Sequence, residues 1–97
     1  FAQQLDLNPA QALDIMRRSM AYSRIMDTKG KKMVEQDFTP QAKLAQHLKD
    51  VRLMLAASPL HLPLSETHCR LLEEAVGLGY GELDNSAVIK VIQEPPA

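Results

Sequence analysis

The amino-acid sequence predicts an all-α fold, specifically a small multi-helix domain. Its 97 residues are enough for one small domain. Hydrophobic residues make up 45% of the chain and aromatic residues only 4%, so Leu, Met, Ala, Val and Ile dominate, a composition that favours packed helices. Apolar residues recur at helical spacing, and no segment alternates as a strand does. We therefore expect five short helices and the end of a sixth, in a single domain over residues 1–97.

The chain opens on what resembles the last turn of a helix already under way, because no capping residue precedes residues 1–5. We interpret Phe1 as a cut within a longer protein. Asn8 is a typical N-cap and Pro9 a typical first helical residue, so the first complete helix is expected from there to about Arg18.

Two further helices follow. Ser23 is expected to cap the second, in which Gly30 is an interruption that costs about 1 kcal/mol relative to Ala. Pro40 is expected to begin the third and most strongly periodic helix, which Ser58 and Pro59 end. Its apolar residues follow at the spacing of one buried helix face. They are Leu44, Leu48, Val51 and Leu55.

The last part of the chain predicts two helices separated by glycines. Ser65 is expected to cap the fourth helix, after an extended connector at residues 61–64. Asp84 or Asn85 is expected to cap the fifth, and Pro95-Pro96 closes the chain. The fourth helix is expected to bury Leu71, Leu72, Ala75 and Val76.

Charge and composition exclude several classes of function. Eleven basic residues face twelve acidic ones, for a net charge of −1, which argues against nucleic acid as a partner. The basic residues at 17–32 are mixed with acidic ones and predict a solvated helix face. No apolar run approaches membrane-spanning length, so we expect no membrane partner. The one cysteine, Cys69, excludes an internal disulfide and favours a reducing compartment; we expect the cytoplasm, with a mitochondrial location left open.

Two groups of residues are candidate sites for a metal or a phosphate. His61, His68 and Cys69 are the candidate soft-metal ligands of one neighbourhood, but His68 and Cys69 are adjacent on a helix and point in different directions. We predict no metal site, a surface histidine and a buried cysteine. The glycine-rich residues 77–81 do not follow a strand, so they predict a helix C-cap and a turn rather than a phosphate-binding loop.

The neighbouring pair Lys49 and Asp50 allows two interpretations. By periodicity they are two surface charges beside the apolar stripe, and adjacent helix residues do not face each other. By chemistry, Lys49 can supply a flexible positive charge to a phosphate or carboxylate, and Asp50 can accept a hydrogen bond from a hydroxyl or an amide.

Several short motifs occur in an order and with gaps that resemble a known family. They are Leu7-Asn8-Pro9, residues 23–30 with Met33, residues 37–40, Leu44, residues 48–53, residues 62–64, residues 79–84 and residues 86–89. Together they resemble the C-terminal domain of the β-hydroxyacid dehydrogenase family. That family includes 3-hydroxyisobutyrate dehydrogenase and 2-hydroxy-3-oxopropionate reductase, and is related to 6-phosphogluconate dehydrogenase.

The resemblance implies an NAD(P)-dependent oxidoreductase that interconverts a small β-hydroxyacid and its semialdehyde. It implies an N-terminal Rossmann domain, absent from this chain, that binds most of the NAD or NADP. It also implies an all-helical C-terminal domain of the 6-phosphogluconate dehydrogenase type, whose long first helix is truncated here and which is often an oligomer interface. We therefore expect a homo-oligomer in which this chain supplies part of the active-site wall.

The resemblance also assigns roles to three residues. Lys49 matches a lysine beside the cofactor, and Asp50 and Phe38 match residues on the substrate side. The family's catalytic lysine lies upstream, so no catalytic residue is expected in this chain, which should be inactive alone. Ala42 and Arg24 depart from aromatic residues common in relatives, so no particular substrate is carried over.

A second hypothesis is a free-standing helical module that binds another protein without catalysis, in which Lys49 is plain surface. The sequence upstream of Phe1 would decide between them, because the enzyme needs a Rossmann pattern there.

Overall fold

The computed structural model describes residues 1–93, and Pro95 and Pro96 lie outside them. The described residues form helices and turns without a named strand, which confirms the all-α prediction. The chain divides into two compact units, Phe1–Asp37 and Phe38–Ala97. The expectation of a single domain stays a prediction, and each unit is described by itself.

The first unit begins with a short 3-10 helix and helix α1. The 3-10 helix spans Gln3–Leu5 and ends at Asp6, which adopts the left-handed conformation. Helix α1 spans Pro9–Arg17, and the Asn8 side chain accepts a hydrogen bond from the Gln11 N–H at 3.1 Å. The predicted N-cap and first helical residue of α1 are therefore confirmed.

A π-helical segment at Met26–Gly30 continues directly into helix α2, Lys31–Glu35. The expectation that Ser23 caps this helix is wrong, since the segment begins at Met26 and Ile25 is its N-cap, without a side-chain hydrogen bond. Gly30 is explained by close packing, because a Cβ atom there would lie 2.9 Å from Cδ1 of Leu13.

Opposite charges are paired across the first unit. Arg17 contacts Asp27 at 2.8 Å, and Arg18 contacts Asp14 at 2.9 Å. The Tyr22 hydroxyl donates a hydrogen bond of 2.6 Å to Asp27, and this bond, with Arg17 nearby, lowers the pKa of Asp27. These contacts fit the prediction that the basic stretch is a solvated face of mixed charge.

The second unit is built on helices α3, Leu44–Ala57, and α4, Pro63–Gly77, which pack against each other. A 3-10 helix, Asn85–Val88, leads into α5, Ile89–Gln93. The predicted stripe of α3 is confirmed, with three of its residues buried and Leu55 partly buried. The buried apolar core consists of Phe38, Leu44, Leu48, Val51, Cys69, Leu72, Ala75 and Ala87.

Two predicted helix starts in this unit are wrong. Helix α3 begins at Leu44 rather than Pro40, because tertiary hydrogen bonds hold residues 38–43 in a loop. Helix α4 begins at Pro63 rather than Ser65, because proline suits the first helical position and lacks the N–H that would need a cap there. Of the four residues expected on the inner face of α4, Leu72 and Ala75 are buried, whereas Val76 is 39% exposed.

Helix α4 ends as the glycine pattern predicts. Gly77 is its last residue, and Gly79 adopts a positive φ of 92°. The Tyr80 N–H donates to the Ala75 carbonyl at 3.0 Å, and the Gly79 N–H donates to Val76 at 3.0 Å. The glycine-rich residues are therefore a helix C-cap and turn.

Candidate cofactor-side face of helix α3

The first turn of α3 is held by the loop that follows α4. The N-cap residue Lys43 provides no side-chain cap. Instead the Leu44 N–H donates to the Leu83 carbonyl and the Ala45 N–H donates to the Gly81 carbonyl, both at 2.9 Å. Backbone groups of a distant loop thus satisfy two of the donors that a helix N-terminus leaves unpaired.

Asp84 fastens this loop to the loop before α3. Its side chain is fully buried, and Oδ1 accepts hydrogen bonds from the N–H groups of Gln41 at 2.9 Å and Ala42 at 3.2 Å. Oδ2 accepts from the Ser86 N–H at 3.0 Å and from the Ser86 hydroxyl. One carboxylate therefore caps the 3-10 helix, as the sequence predicts, and also fixes the approach to α3.

Lys49 and Asp50 are both exposed, directly after the buried Leu48. Neither side chain makes a hydrogen bond or ion pair with another residue of the described chain, 1–93. Periodicity therefore predicted their position correctly, as charges beside the apolar stripe. The geometry leaves the Lys49 ammonium and the Asp50 carboxylate available to a ligand.

Phe38 lies in the core of the second unit and is only 8% exposed. The Lys90 ammonium lies 5.4 Å from its ring centre and 4.7 Å from that of Tyr80, within the range of cation–π attraction. Phe38 therefore anchors the loop before α3 to the core. Its expected place on the substrate side stays a prediction, as do those of Lys49 and Asp50.

The candidate metal ligands His61 and Cys69 have other partners. His61 is exposed and lies 2.9 Å from Glu66, whereas Cys69 is buried and its thiol donates to Glu73 at 3.2 Å. Burial, together with Glu73, raises the pKa of the Cys69 thiol. Over residues 1–93 no three histidine, cysteine or acidic side chains lie close enough together to share one metal ion.

Two contacts in the second unit were not predicted from the sequence. Asp84 was expected only as a helix cap, and its bonds to residues 41 and 42 depend on contacts across more than forty positions of the chain. The one available signal was an acidic residue in a glycine-flanked turn two positions before a serine. The second feature is His47, whose ring centre on α3 lies 5.1 Å from that of His68 on α4.

Comparison with known proteins then places the chain. The profile of a family described as "NAD-binding of NADP-dependent 3-hydroxyisobutyrate dehydrogenase" matches residues 1–92. The chain belongs to this family. The resemblance read from the motifs is therefore confirmed, including that of the fold.

Individual relatives within the family agree with this. The chain is 29% identical over 96 residues to 2-hydroxy-3-oxopropionate reductase of Escherichia coli, covering 96% of the chain and 33% of that protein. It is 35% identical over 81 residues to L-threonate dehydrogenase of Haemophilus influenzae, covering 80% of the chain and 27% of that protein.

A solved structure shows the same fold. The crystal structure of 3-hydroxyisobutyrate dehydrogenase from Salmonella typhimurium matches with a TM-score of 0.85 and 27% identity, over 93% of this chain and 33% of that one. The chain thus spans about a third or less of the length of these relatives.

Among the described residues, no helix is both long and apolar enough to cross a membrane.

Proposed function

We propose that this chain is the C-terminal helical domain of an NAD(P)-dependent dehydrogenase that interconverts a β-hydroxyacid and its semialdehyde. The observation that carries the proposal is the exposed Lys49–Asp50 pair on a helix whose opposite face is buried and whose first turn is fastened by Asp84 and its loop. Family membership supports it, since 2-hydroxy-3-oxopropionate reductase and L-threonate dehydrogenase match this chain over about a third or less of their own length.

The residues present fit a contact with a dinucleotide but not its whole binding site. Lys49 has an exposed ammonium without a carboxylate partner among residues 1–93, so it can bind an anionic or carbonyl group of NAD or NADP. The glycine-rich turn at 77–81 is a helix C-cap and not a phosphate-binding loop. We therefore propose that another domain binds most of the cofactor and that Lys49 closes one side of it.

The chemistry divides accordingly. When bound, the nicotinamide gives or accepts the hydride. Lys49 supplies a positive charge from a helix whose backbone is held at its first turn and along its buried face. Asp50 presents hydrogen-bond acceptors beside it, on the substrate side, and Phe38 supports the adjoining loop. The proton transfer of the reaction then needs a group outside this chain.

We also propose that the protein is a homo-oligomer and that the first unit takes part in the subunit contact. No residue of that unit is buried. Residues of the first turn and of α1 line an apolar groove of about 450 Å³, and several large apolar side chains are exposed. They include Phe1, Ile15, Met16 and Met20. Exposed apolar surface of this kind favours association, so sedimentation of the chain should show dimers, and a monomer at high concentration would contradict the proposal.

The compartment is proposed to be the cytoplasm. The support is one unpaired cysteine, Cys69, buried beside Glu73 rather than joined in a disulfide. Fractionation of the source cells would test this, and recovery of the protein from mitochondria would contradict it.

The activity is tested in the complete gene product that contains this chain. It should oxidise a small β-hydroxyacid with NAD or NADP, whereas the 97-residue chain alone should be inactive and bind little dinucleotide. If the chain alone turned over a semialdehyde at the rate of the complete protein, the proposal that another domain supplies the cofactor site and the proton-transfer group would be wrong. If neither did so over a panel of hydroxyacids, the free-standing interaction module would be favoured.

Lys43 offers a matched control for the role of Lys49. Both lysines are exposed, but Lys43 pairs with Glu82 at 2.9 Å. In the complete protein, Lys49→Met should raise the KM for the nicotinamide cofactor by about tenfold or more, the loss expected for one charge-assisted hydrogen bond. Lys43→Met should leave it unchanged. If the two variants changed the KM for the cofactor equally, Lys49 would not contact the cofactor.

A further inference from the structure

The contact between His47 and His68 joins the two main helices of the second unit. His47 belongs to α3 and His68 to α4, and both side chains are partly exposed. Their ring centres are 5.1 Å apart, and the ring planes are inclined at 55°. The sequence separates these residues by twenty-one positions, so only the packing of α3 on α4 brings them together.

This spacing allows the two imidazoles to share one metal ion. Zinc–nitrogen bonds are about 2.0–2.1 Å long, and a tetrahedral angle between two such bonds puts the ring centres about 5 Å apart. Imidazole nitrogen is a preferred donor for late first-row divalent metals. One nitrogen from each ring is enough, so the second nitrogen can keep a hydrogen bond to the protein, as is usual for metal-bound histidine.

We propose that His47 and His68 form a two-histidine site for a divalent transition-metal cation, linking α3 to α4. Water completes the coordination, because no third histidine, cysteine or acidic side chain joins them among residues 1–93. With only two protein donors the site binds imidazole-seeking cations and discriminates against Mg²⁺, which prefers oxygen. The proposal does not depend on the dehydrogenase activity, since the cation is placed by the helix pair alone.

The bound cation holds α3 against α4, so it stabilises the folded chain over the unfolded chain, in which the two histidines are far apart. Occupancy also fixes the helix that contains Lys49, two positions after His47. A cation at this site can therefore alter the dehydrogenase without contact with its substrate.

The test is thermal unfolding of the 97-residue chain, followed by circular dichroism, with CuCl₂, NiCl₂, ZnCl₂ or MgCl₂. The expected result is a higher Tm with Cu²⁺, a smaller rise with Ni²⁺ and Zn²⁺, following the usual order of affinities, and none with Mg²⁺. Electron paramagnetic resonance of the Cu²⁺ sample should show nitrogen hyperfine coupling. Absence of any shift at millimolar metal overturns the proposal.

Variants locate the site. His47→Gln and His68→Gln should each abolish the metal-dependent rise in Tm, measured against the same variant without metal. His61→Gln is the matched control, because His61 is exposed and pairs with Glu66 instead. Cys69→Ser should also keep the shift. A rise that survives both His47→Gln and His68→Gln, or that is lost in either control, overturns the assignment. Because the two test variants lie on different helices, a folding defect in one leaves the other informative.

Discussion

Replacement of Asp84 by alanine removes the fully buried side chain that joins the loop before α3 to the loop after α4. Four donors then lose their acceptor: the N–H groups of Gln41, Ala42 and Ser86, and the Ser86 hydroxyl. A hydrogen bond to a charged group contributes about 1.5–3 kcal/mol, and four of them would sum to about 6–12 kcal/mol if independent.

The true loss is smaller, because bonds in one network are not additive and the loop at 41–42 can turn to water. We expect Asp84→Ala to lower the free energy of unfolding by about 3–5 kcal/mol, because each buried donor left without an acceptor costs about 1–3 kcal/mol. Since small domains have only about 5–15 kcal/mol in total, the variant should be partly unfolded at moderate temperature. Asp84→Asn keeps one acceptor oxygen, so it should lose only about 2 kcal/mol.

Urea unfolding followed by far-ultraviolet circular dichroism measures these differences. Glu82→Gln is the control two residues away, since within residues 1–93 the exposed Glu82 pairs only with the exposed Lys43. The urea midpoint of this variant should not move. If Asp84→Ala unfolded within about 1 kcal/mol of the wild type, the hydrogen bonds of Asp84 would not be what holds the first turn of α3.

Three further predictions concern α4 and its end. Gly77→Ala should raise the free energy of unfolding by about 0.5–1 kcal/mol, because no atom lies within 4 Å of the added Cβ. Gly79→Ala should lower it by about 1–2 kcal/mol, because Gly79 has a φ of 92° that a residue with a side chain adopts only under strain. Urea unfolding that changed the stability of both variants in the same direction would contradict this. Leu72→Ala should cost about 2–5 kcal/mol because that side chain is fully buried, and Leu64→Ala, 86% exposed, should be nearly neutral; equal costs in the same assay would refute the packing. The raised pKa of Cys69 means that the folded chain keeps the thiol proton when the unfolded chain loses it, so stability falls as the pH rises above the ordinary pKa of a cysteine thiol. Alkylation by iodoacetamide should be slower in buffer than in urea, and equal rates would contradict the burial of the thiol.

The sequence predicts best those features that depend on neighbouring residues. Asn8 and Pro9 begin α1 as expected, and the stripe of α3 is buried with Lys49 and Asp50 outside it. These follow from capping and from helical periodicity, which act within a few residues.

Features set by distant parts of the chain were missed. Pro40 is a good first residue for a helix, but Asp84 and Asn85 bind the backbone of residues 41–42 and delay the start of α3 until Leu44. The contact of His47 with His68 depends on how two helices are rotated about their axes, which periodicity does not specify. The roles proposed for Lys49 and Asp50 rest on the family resemblance, because exposure alone does not distinguish a binding lysine from an ordinary one.

The bonds of Asp84 have a consequence for how the protein is made. They join Asp84 to residues that precede it by 43 and 42 positions in the chain. The Gly81 and Leu83 carbonyls that cap α3 belong to residues synthesised at nearly the same late stage. At about 5–20 residues per second, a ribosome needs about 2–8 s to synthesise that interval. During this time the nascent α3 has a first turn without its caps, and until Pro63–Gly77 has been synthesised its apolar stripe also lacks its partner helix. The first turn of α3 can be fixed only when the segment around Asp84 has left the ribosome. A pause in translation between residues 45 and 84 should therefore prolong exposure of the nascent chain to chaperones.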